Sequence, residues 1–181
     1  MQELSLYILD IVMNSVRAGA SNIDIMLDEN EEQFIFSVKD DGCGMTKEQL
    51  SKLKDPFFTT RKTRKVGLGI PFIRMLAEQT GGMLKIDSRC EIECGEHGTE
   101  LVCVFNKNHI DFIPLGDIIS TLITLIQGSP EIDFKFIHKL DGKSIELDIS
   151  DIRKIIGPDI PLSSPEILRW IREYLSEQYN K

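Results

Sequence analysis

The sequence lacks any long hydrophobic run, although 41% of its 181 residues are hydrophobic. No stretch approaches the roughly 20 apolar residues that a membrane-spanning helix needs. The apolar N-terminal stretch, MQELSLYILDIVMNS, has no basic start and contains Asp10, which argues against a secretory signal. We therefore expect a globular cytoplasmic protein with no membrane partner, large enough for one substantial core and a small appendage.

Positive charge is scarce, because 21 Lys and Arg stand against 29 Asp and Glu, for a net charge of -8. Such a chain would repel a phosphate backbone, so nucleic acid is not an expected partner. Only four cysteines occur, and without an export signal they are interpreted as reduced thiols.

Three potential metal ligands lie close together in the stretch RCEIECGEHG, namely Cys90, Cys94 and His97. With Cys103 as a fourth ligand they could hold zinc or iron. The spacing C-x3-C-x2-H is not a standard finger pattern, and reduced thiols in a hairpin are the favoured interpretation.

Internal repeats and low-complexity tracts are absent, and the hydrophobic spacing predicts two successive α/β patterns. The first comprises a helix over 3–18, strands over 22–28 and 33–38, helices over 46–53 and from Pro71 to about Gly81, and strands over 83–88 and 99–105. The second comprises helices over 117–128, 151–157 and 165–179 and strands over 133–140 and 143–149. We predict a first domain over 1–108 and a small α+β accessory domain of unknown role over 109–181, with Trp170 in its core.

The first predicted helix is apolar almost all round but carries one polar stripe. Asp10, Asn14 and Arg17 follow the i, i+4, i+7 spacing that places side chains on a single helix face. A buried helix with such a stripe requires polar groups opposite it.

The stretch KDDGCGM ends the second predicted strand. A carboxylate such as Asp40 at a strand end can accept a hydrogen bond from an exocyclic amine, which adenine offers. Gly42 and Gly44 would let a planar base approach the backbone closely. Taken alone, the stretch is equally typical of an ordinary acidic turn.

A second glycine-containing turn, Gly67-Leu68-Gly69, precedes the helix that begins near Pro71. Backbone N–H groups at a helix start favour a phosphate, and glycines allow its oxygens to come near. The only dense basic cluster of the chain precedes this turn and suggests a lid; its members are Arg61, Lys62, Arg64 and Lys65. The alternative is a solvated charged surface.

Five elements in this order resemble the N, G1, F, G2 and G3 boxes of the GHKL, or Bergerat-fold, ATPases, which include gyrases, heat-shock chaperones, histidine kinases and mismatch-repair ATPases. They are LDIVMNSVRAGAS, DDGCGM, PFFTTRK, VGLGI and Gly98-Thr99. The resemblance covers the chain up to about residue 108 and is strongest for the histidine-kinase ATP domain, the anti-sigma factor kinases and the mismatch-repair ATPases. It implies a two-layer α/β sandwich: a mixed, mostly antiparallel sheet with helices on one face.

The resemblance also implies roles for individual residues. Asn14 would ligate an Mg²⁺ ion that bridges the phosphates of ATP, and Arg17 would reach a phosphate. Asp40 would bind the adenine amino group, helped by Thr99 through a water. The remaining contacts would come from residues that shape the pocket or cradle the phosphates: Gly42, Gly44, Arg61, Lys62, Gly67, Leu68 and Gly69.

Two positions depart from the family pattern. Several branches carry a catalytic Glu four residues before the Asn, where this chain has Asp10, which is one methylene shorter. The first glycine of the usual phosphate turn is replaced by Lys65.

The expected function is Mg-dependent ATP binding, coupled to slow hydrolysis or to phosphoryl transfer onto a partner protein in trans. Two alternatives stay open, namely a nucleotide sensor without chemistry and an anti-sigma-type serine kinase. A homodimer is also left open. The sequence does not choose among these.

Overall fold

The protein was analysed as a computed structural model that describes residues 3–53, 69–90 and 97–180. In the first part of the chain the elements are α1 (Leu4–Arg17), β1 (Asn22–Glu29), β2 (Gln33–Asp40), α2 (Lys47–Lys52), α3 (Gly69–Gln79), β3 (Met83–Arg89) and β4 (Gly98–Asn106). The later elements are α4 (Ile118–Gly128), β5 (Asp133–Leu140), β6 (Lys143–Asp148), α5 (Ile149–Ile156) and α6 (Pro165–Asn180). Each lies within a few residues of its predicted position.

The strands form one six-stranded sheet in the order β3-β4-β2-β1-β5-β6. Four of the five pairings are antiparallel, and β1 pairs with β5 in parallel. Alternation along each strand buries one face, and the register aligns these positions across strands: Val38 with Ile25, and Ile25 with Phe136. On that face α1 packs between α3 and α4, and α6 packs against α4. The predicted α/β sandwich with a mixed, mostly antiparallel sheet is confirmed.

The C-terminal segment continues the same sheet. All eight residues of β1 pair with β5, from Asn22 with Asp133 to Glu29 with Leu140. The backbone N–H of Leu4 at the start of α1 also donates to the Pro114 carbonyl, at 2.9 Å. The segments on either side of residue 108 therefore share one hydrophobic core. Their division into an ATP-binding domain and an accessory domain stays a prediction about function.

Trp170 corrects one expectation. Its side chain is 48% exposed, and it stacks on Tyr174 with ring centroids 5.3 Å apart. The buried positions of α6 are Leu168, Ile171 and Leu175. These three residues follow helical spacing as well as Trp170 does, so periodicity alone could not choose between the two adjacent stripes.

Candidate nucleotide-binding site

Asp40 is held at the end of β2 by two hydrogen bonds. The Ser15 hydroxyl on α1 donates to its Oδ2 at 2.6 Å, and the Gly42 N–H donates to its Oδ1 at 2.9 Å. A carboxylate accepts about four hydrogen bonds, so two of its lone-pair positions remain for a further donor. Asp40 is partly exposed, as a carboxylate that receives a ligand must be.

Three polar side chains lie in a row across adjacent strands at this end of the sheet. Thr99 on β4 pairs with Asp40 on one side and with Ser88 of β3 on the other. The Ser88 and Thr99 hydroxyl oxygens are 2.8 Å apart, and the Ser88 hydroxyl accepts from the Met45 N–H at 2.8 Å. We call this end of the sheet, with residues Asp40–Met45, Ser88 and Thr99, the loop end.

Asp41, the second carboxylate of the motif, anchors the loop. It accepts hydrogen bonds from the Ser21 and Asn22 backbone N–H groups at 2.7 and 2.9 Å, and from the Asn22 side-chain amide at 2.7 Å. Partial burial raises the pKa of Asp41, but the hydrogen bonds from Asn22 and Ser21 outweigh it and hold the pKa below its ordinary value. The two adjacent aspartates therefore differ, because Asp41 accepts three hydrogen bonds that hold the loop to Ser21 and Asn22, whereas Asp40 accepts two.

Gly44 is required by close packing of the loop. Its φ is +67°, a conformation that L side chains rarely adopt, and a Cβ there would overlap the backbone carbonyl of Arg89. Gly42 is buried, and its carbonyl lies 2.9 Å from His97 Nδ1. Cys43, between these two glycines, is exposed.

Asp10, the first residue of the polar stripe of α1, lies against the start of α3. A Cβ at Gly69 would overlap Oδ2 of Asp10, so the Asp10 carboxylate lies directly against the first residue of α3. One turn further along α1, the Arg17 guanidinium donates to Oδ1 of Asn14 at 3.1 Å. The structure thus brings together Asp10 and Gly69, and Asn14 and Arg17.

Some predicted residues lie outside the part of the chain that the structure describes, namely Arg61, Lys62, Arg64, Lys65, Gly67, Leu68 and Cys94. Among the described residues no group of three metal-ligating side chains occurs. Cys103 cannot join Cys90, because the register pairs Leu84 with Cys103 and Arg89 with Gly98. Cys103 therefore lies about five residues, or roughly 17 Å, from that end of the sheet. It is fully buried, and burial raises the pKa of its thiol to about 12.

Two residues of the candidate site, Ser15 and Ser88, were not predicted from the sequence. Ser15 follows Asn14 in α1 and lies at helical spacing from Ile8 and Ile11, which is the one signal for it in the sequence. Ser88 occupies an inward position of β3, but its proximity to Thr99 depends on the pairing of β3 with β4.

The opposite end of the sheet carries a second polar cluster, which we call the clamp end: Glu29, Lys107, His138 and Tyr179. The Lys107 ammonium donates to Glu29 at 2.6 Å, and His138 Nδ1 lies 2.7 Å from the Tyr179 hydroxyl. His138 Nε2 lies 3.6 Å from Glu29. Burial lowers the pKa of His138 below its ordinary value, against the opposing effect of the Glu29 carboxylate. The cluster ties the last turn of α6 to β1 and β5.

None of the helices within residues 3–53, 69–90 and 97–180 has both the length and the apolar composition that crossing a membrane requires. The chain resembles several curated proteins over about half its length. It is 31% identical to Sporulation kinase C of Bacillus subtilis (strain 168) over 88 residues, covering 48% of this chain and 20% of that protein. It is 29% identical to Sporulation kinase A of the same organism over 91 residues, covering 49% and 15%. The chain thus spans a fifth or less of the length of these relatives.

Among solved structures, the N-terminal domain of a DNA repair protein has a similar fold, with a TM-score of 0.54 at 15% identity. The likeness covers 82% of this chain and 53% of the other. Residues 2–109 match the family described as histidine kinase-, DNA gyrase B-, and HSP90-like ATPase. The chain belongs to this family, and its first 109 residues form an ATP-binding, kinase-like module.

Proposed function

We propose that the protein binds ATP together with Mg²⁺ at the loop end and couples binding to slow hydrolysis or to phosphoryl transfer onto a partner protein. The observation that carries this proposal is that the Asp40 carboxylate is oriented by hydrogen bonds and can still accept others. Ser15 and Gly42 orient its carboxylate, and half of its acceptor capacity remains. In this role Asp40 accepts the adenine amino group, and Thr99, beside it in the sheet, acts through a water.

The phosphate chain would extend from the loop end along the polar stripe of α1. Asn14 offers an amide oxygen with a second lone pair beyond the one that Arg17 uses, which suits a hard cation such as Mg²⁺. Bound Mg²⁺ would neutralise phosphate charge. Arg17 would contact a phosphate oxygen, and Gly69 would present its backbone at the start of α3. The other proposed phosphate contacts come from the sequence: Arg61, Lys62, Gly67 and Leu68.

Asp10 is the proposed general base, which orients a water or a hydroxyl group for in-line attack. Its contact with Gly69 supports this role, because the carboxylate then lies beside the turn that would hold the phosphates. Both similar proteins are named as kinases, which favours phosphoryl transfer to a protein. The nucleotide sensor and the anti-sigma-type serine kinase remain the alternatives, and a homodimer remains compatible with all of them.

The binding step is tested by calorimetric titration of ATP with Mg²⁺ into the Asp40→Asn variant. The substitution places an amide where the amine requires an acceptor, so we expect a loss of affinity of about 100-fold or more. Asp24→Asn is the matched control, since Asp24 is exposed on the other face of the same sheet and its variant should bind as the parent does. Equal affinity in the two variants would show that adenine binds elsewhere.

The chemical step is tested with γ-labelled ATP under single-turnover conditions. Phosphate release by the parent that is lost in Asp10→Asn, with ATP affinity retained, supports hydrolysis. Label that moves to a second protein, with the same dependence on Asp10, supports the kinase. Tight binding with neither outcome leaves the sensor and refutes the catalytic part of the proposal.

A further inference from the structure

The two edges of the sheet are protected differently. At the β6 edge the side-chain amide of Gln178, on α6, accepts from the Glu146 N–H at 3.0 Å and donates to the Glu146 carbonyl at 3.1 Å. The Gln178 amide thus forms the backbone hydrogen bonds at Glu146 that a neighbouring strand would otherwise form. At the β3 edge no described residue makes such a contact to the backbone of Leu84–Asp87. A strand edge without a partner is a template for pairing with another chain.

The sequence of β3 is self-complementary in one antiparallel register. When two copies of the strand pair about Ile86, Lys85 of each copy faces Asp87 of the other, and Leu84 faces Ser88. A two-fold axis generates every such contact twice, as in an isologous dimer. Charged side chains on an edge strand oppose pairing when like charges face each other. By contrast, β3 carries both signs, at positions that this register brings together.

The charges around β3 favour the same pairing. Lys85 and Asp87 are exposed, and neither forms an ion pair with a described residue. Within the chain, Asp87 lies opposite Glu100 of β4, which Lys39 of β2 faces on its other side, and Lys85 lies opposite Val102. Like charges directly across a strand pair are destabilising. A Lys85 side chain from a second copy would offset this repulsion on the outer side of Asp87.

We propose that two copies of the chain associate through β3 as an antiparallel, two-fold symmetric pair, which extends one sheet through both copies. The pairing spans Leu84 to Ser88, because the backbone at Gly44 already lies against the Arg89 carbonyl. The interface therefore ends at Ser88, whose hydroxyl contacts Thr99 of the loop end. It is independent of whether ATP is hydrolysed.

The test measures the mass of the full chain by sedimentation over a range of concentrations. We expect a monomer–dimer equilibrium whose dissociation constant rises about tenfold or more in Lys85→Asp, since two attractive pairs become two repulsive ones. The double variant Lys85→Asp with Asp87→Lys exchanges the charges and should restore dimerisation. Lys143→Asp is the matched control. It makes the same charge change at an exposed position of β6, the opposite edge strand, where Lys143 pairs with Leu140.

Three results would overturn the proposal: a monomer at every concentration, a dimer that Lys85→Asp leaves intact, or a dimer that the exchanged variant does not recover. Circular dichroism and thermal unfolding of each variant separate a lost interface from a lost fold. If Lys85→Asp fails to fold, Asp87→Lys provides the reciprocal like-charge pair and the same expected weakening.

Discussion

The two ends of the sheet use similar residues for different purposes. At the loop end, the Asp40 carboxylate is oriented by two hydrogen bonds and partly exposed. At the clamp end, Glu29 is paired with Lys107, and His138 is bonded to Tyr179 and only 2% exposed. The hydrogen bonds of the clamp end stabilise the fold, although Nε2 of His138 has no hydrogen-bond partner among the described residues. A carboxylate with remaining acceptor capacity can instead bind a ligand. Substitutions at the loop end should therefore affect ATP binding, and substitutions at the clamp end should affect folding stability.

The largest expected effect is that of Gly44→Ala. The new Cβ would meet the Arg89 carbonyl and also force a positive φ on an L residue, so the loop must move. We expect a loss of about 3 kcal/mol or more, distributed between folding stability and ATP affinity. Chemical unfolding and ATP titration measure the two parts. Gly81→Ala is the control: its φ is +77° with open space around it, so a cost near 1 kcal/mol is expected.

Next in size is Tyr179→Phe at the clamp end. Removing the hydroxyl takes the hydrogen-bond partner from Nδ1 of a buried imidazole, which should lower the free energy of unfolding by about 1–2 kcal/mol. ATP affinity should not change, because the clamp end lies at the opposite end of β1 and β2 from Asp40. Tyr174→Phe removes an exposed hydroxyl from the same helix and should cost less than ~0.5 kcal/mol. Equal losses in the two variants would show that the hydrogen bond between Tyr179 and His138 does not contribute to stability.

In contrast to Tyr179→Phe, Ser15→Ala should lower ATP affinity more than stability. The Asp40 carboxylate loses the donor that orients it, so ATP affinity should fall about 3- to 10-fold, in line with ~1 kcal/mol for one hydrogen bond. The serine is buried but small, and stability should change by less than affinity does. Calorimetric titration and thermal unfolding of the same sample compare the two. An unchanged affinity would mean that the Ser15 hydroxyl does not position Asp40 for binding.

The smallest effect is a pH dependence that arises from His138. Its pKa is lowered from 6.5 in the folded protein, so the unfolded chain binds more protons between the folded-state value and 6.5. Stability from this group is complete above pH 6.5 and is lost as the pH falls below it. One proton limits the slope to ~1.4 kcal/mol per pH unit. The facing charges are those of Asp28, Glu29 and Lys107.

The measurement is the free energy of unfolding between pH 7.5 and pH 5, for the parent and His138→Gln. The variant should show a shallower decline on acidification, because glutamine does not titrate. Parallel curves would mean that His138 has the same pKa in the folded and unfolded chain.

Local patterns were sufficient to predict most of the elements. Alternation of Ile23, Ile25 and Leu27 predicted β1. The helix predicted over 46–53 begins at Thr46, whose hydroxyl accepts from the Gln49 N–H and whose own N–H donates to the Gln49 side-chain oxygen. The row of Asp40, Thr99 and Ser88 was not accessible in this way, since it depends on the pairing of three strands that are far apart in the sequence. The parallel pairing of β1 with β5 was missed for the same reason, because a crossover of about a hundred residues leaves no local signal.

By itself the sequence determined the periodicity of the helices and strands, the polar stripe of Asp10, Asn14 and Arg17, and the ordered motifs that indicate the ATPase family. These are properties of spacing, which short stretches of chain carry unaided. Tertiary structure alone decided that Asp41 anchors the loop while Asp40 keeps acceptor capacity, and that Tyr179 reaches His138. Hydrogen bonds between distant residues depend on how the sheet and helices pack, and neighbouring residues of one type are distinguished only by that packing.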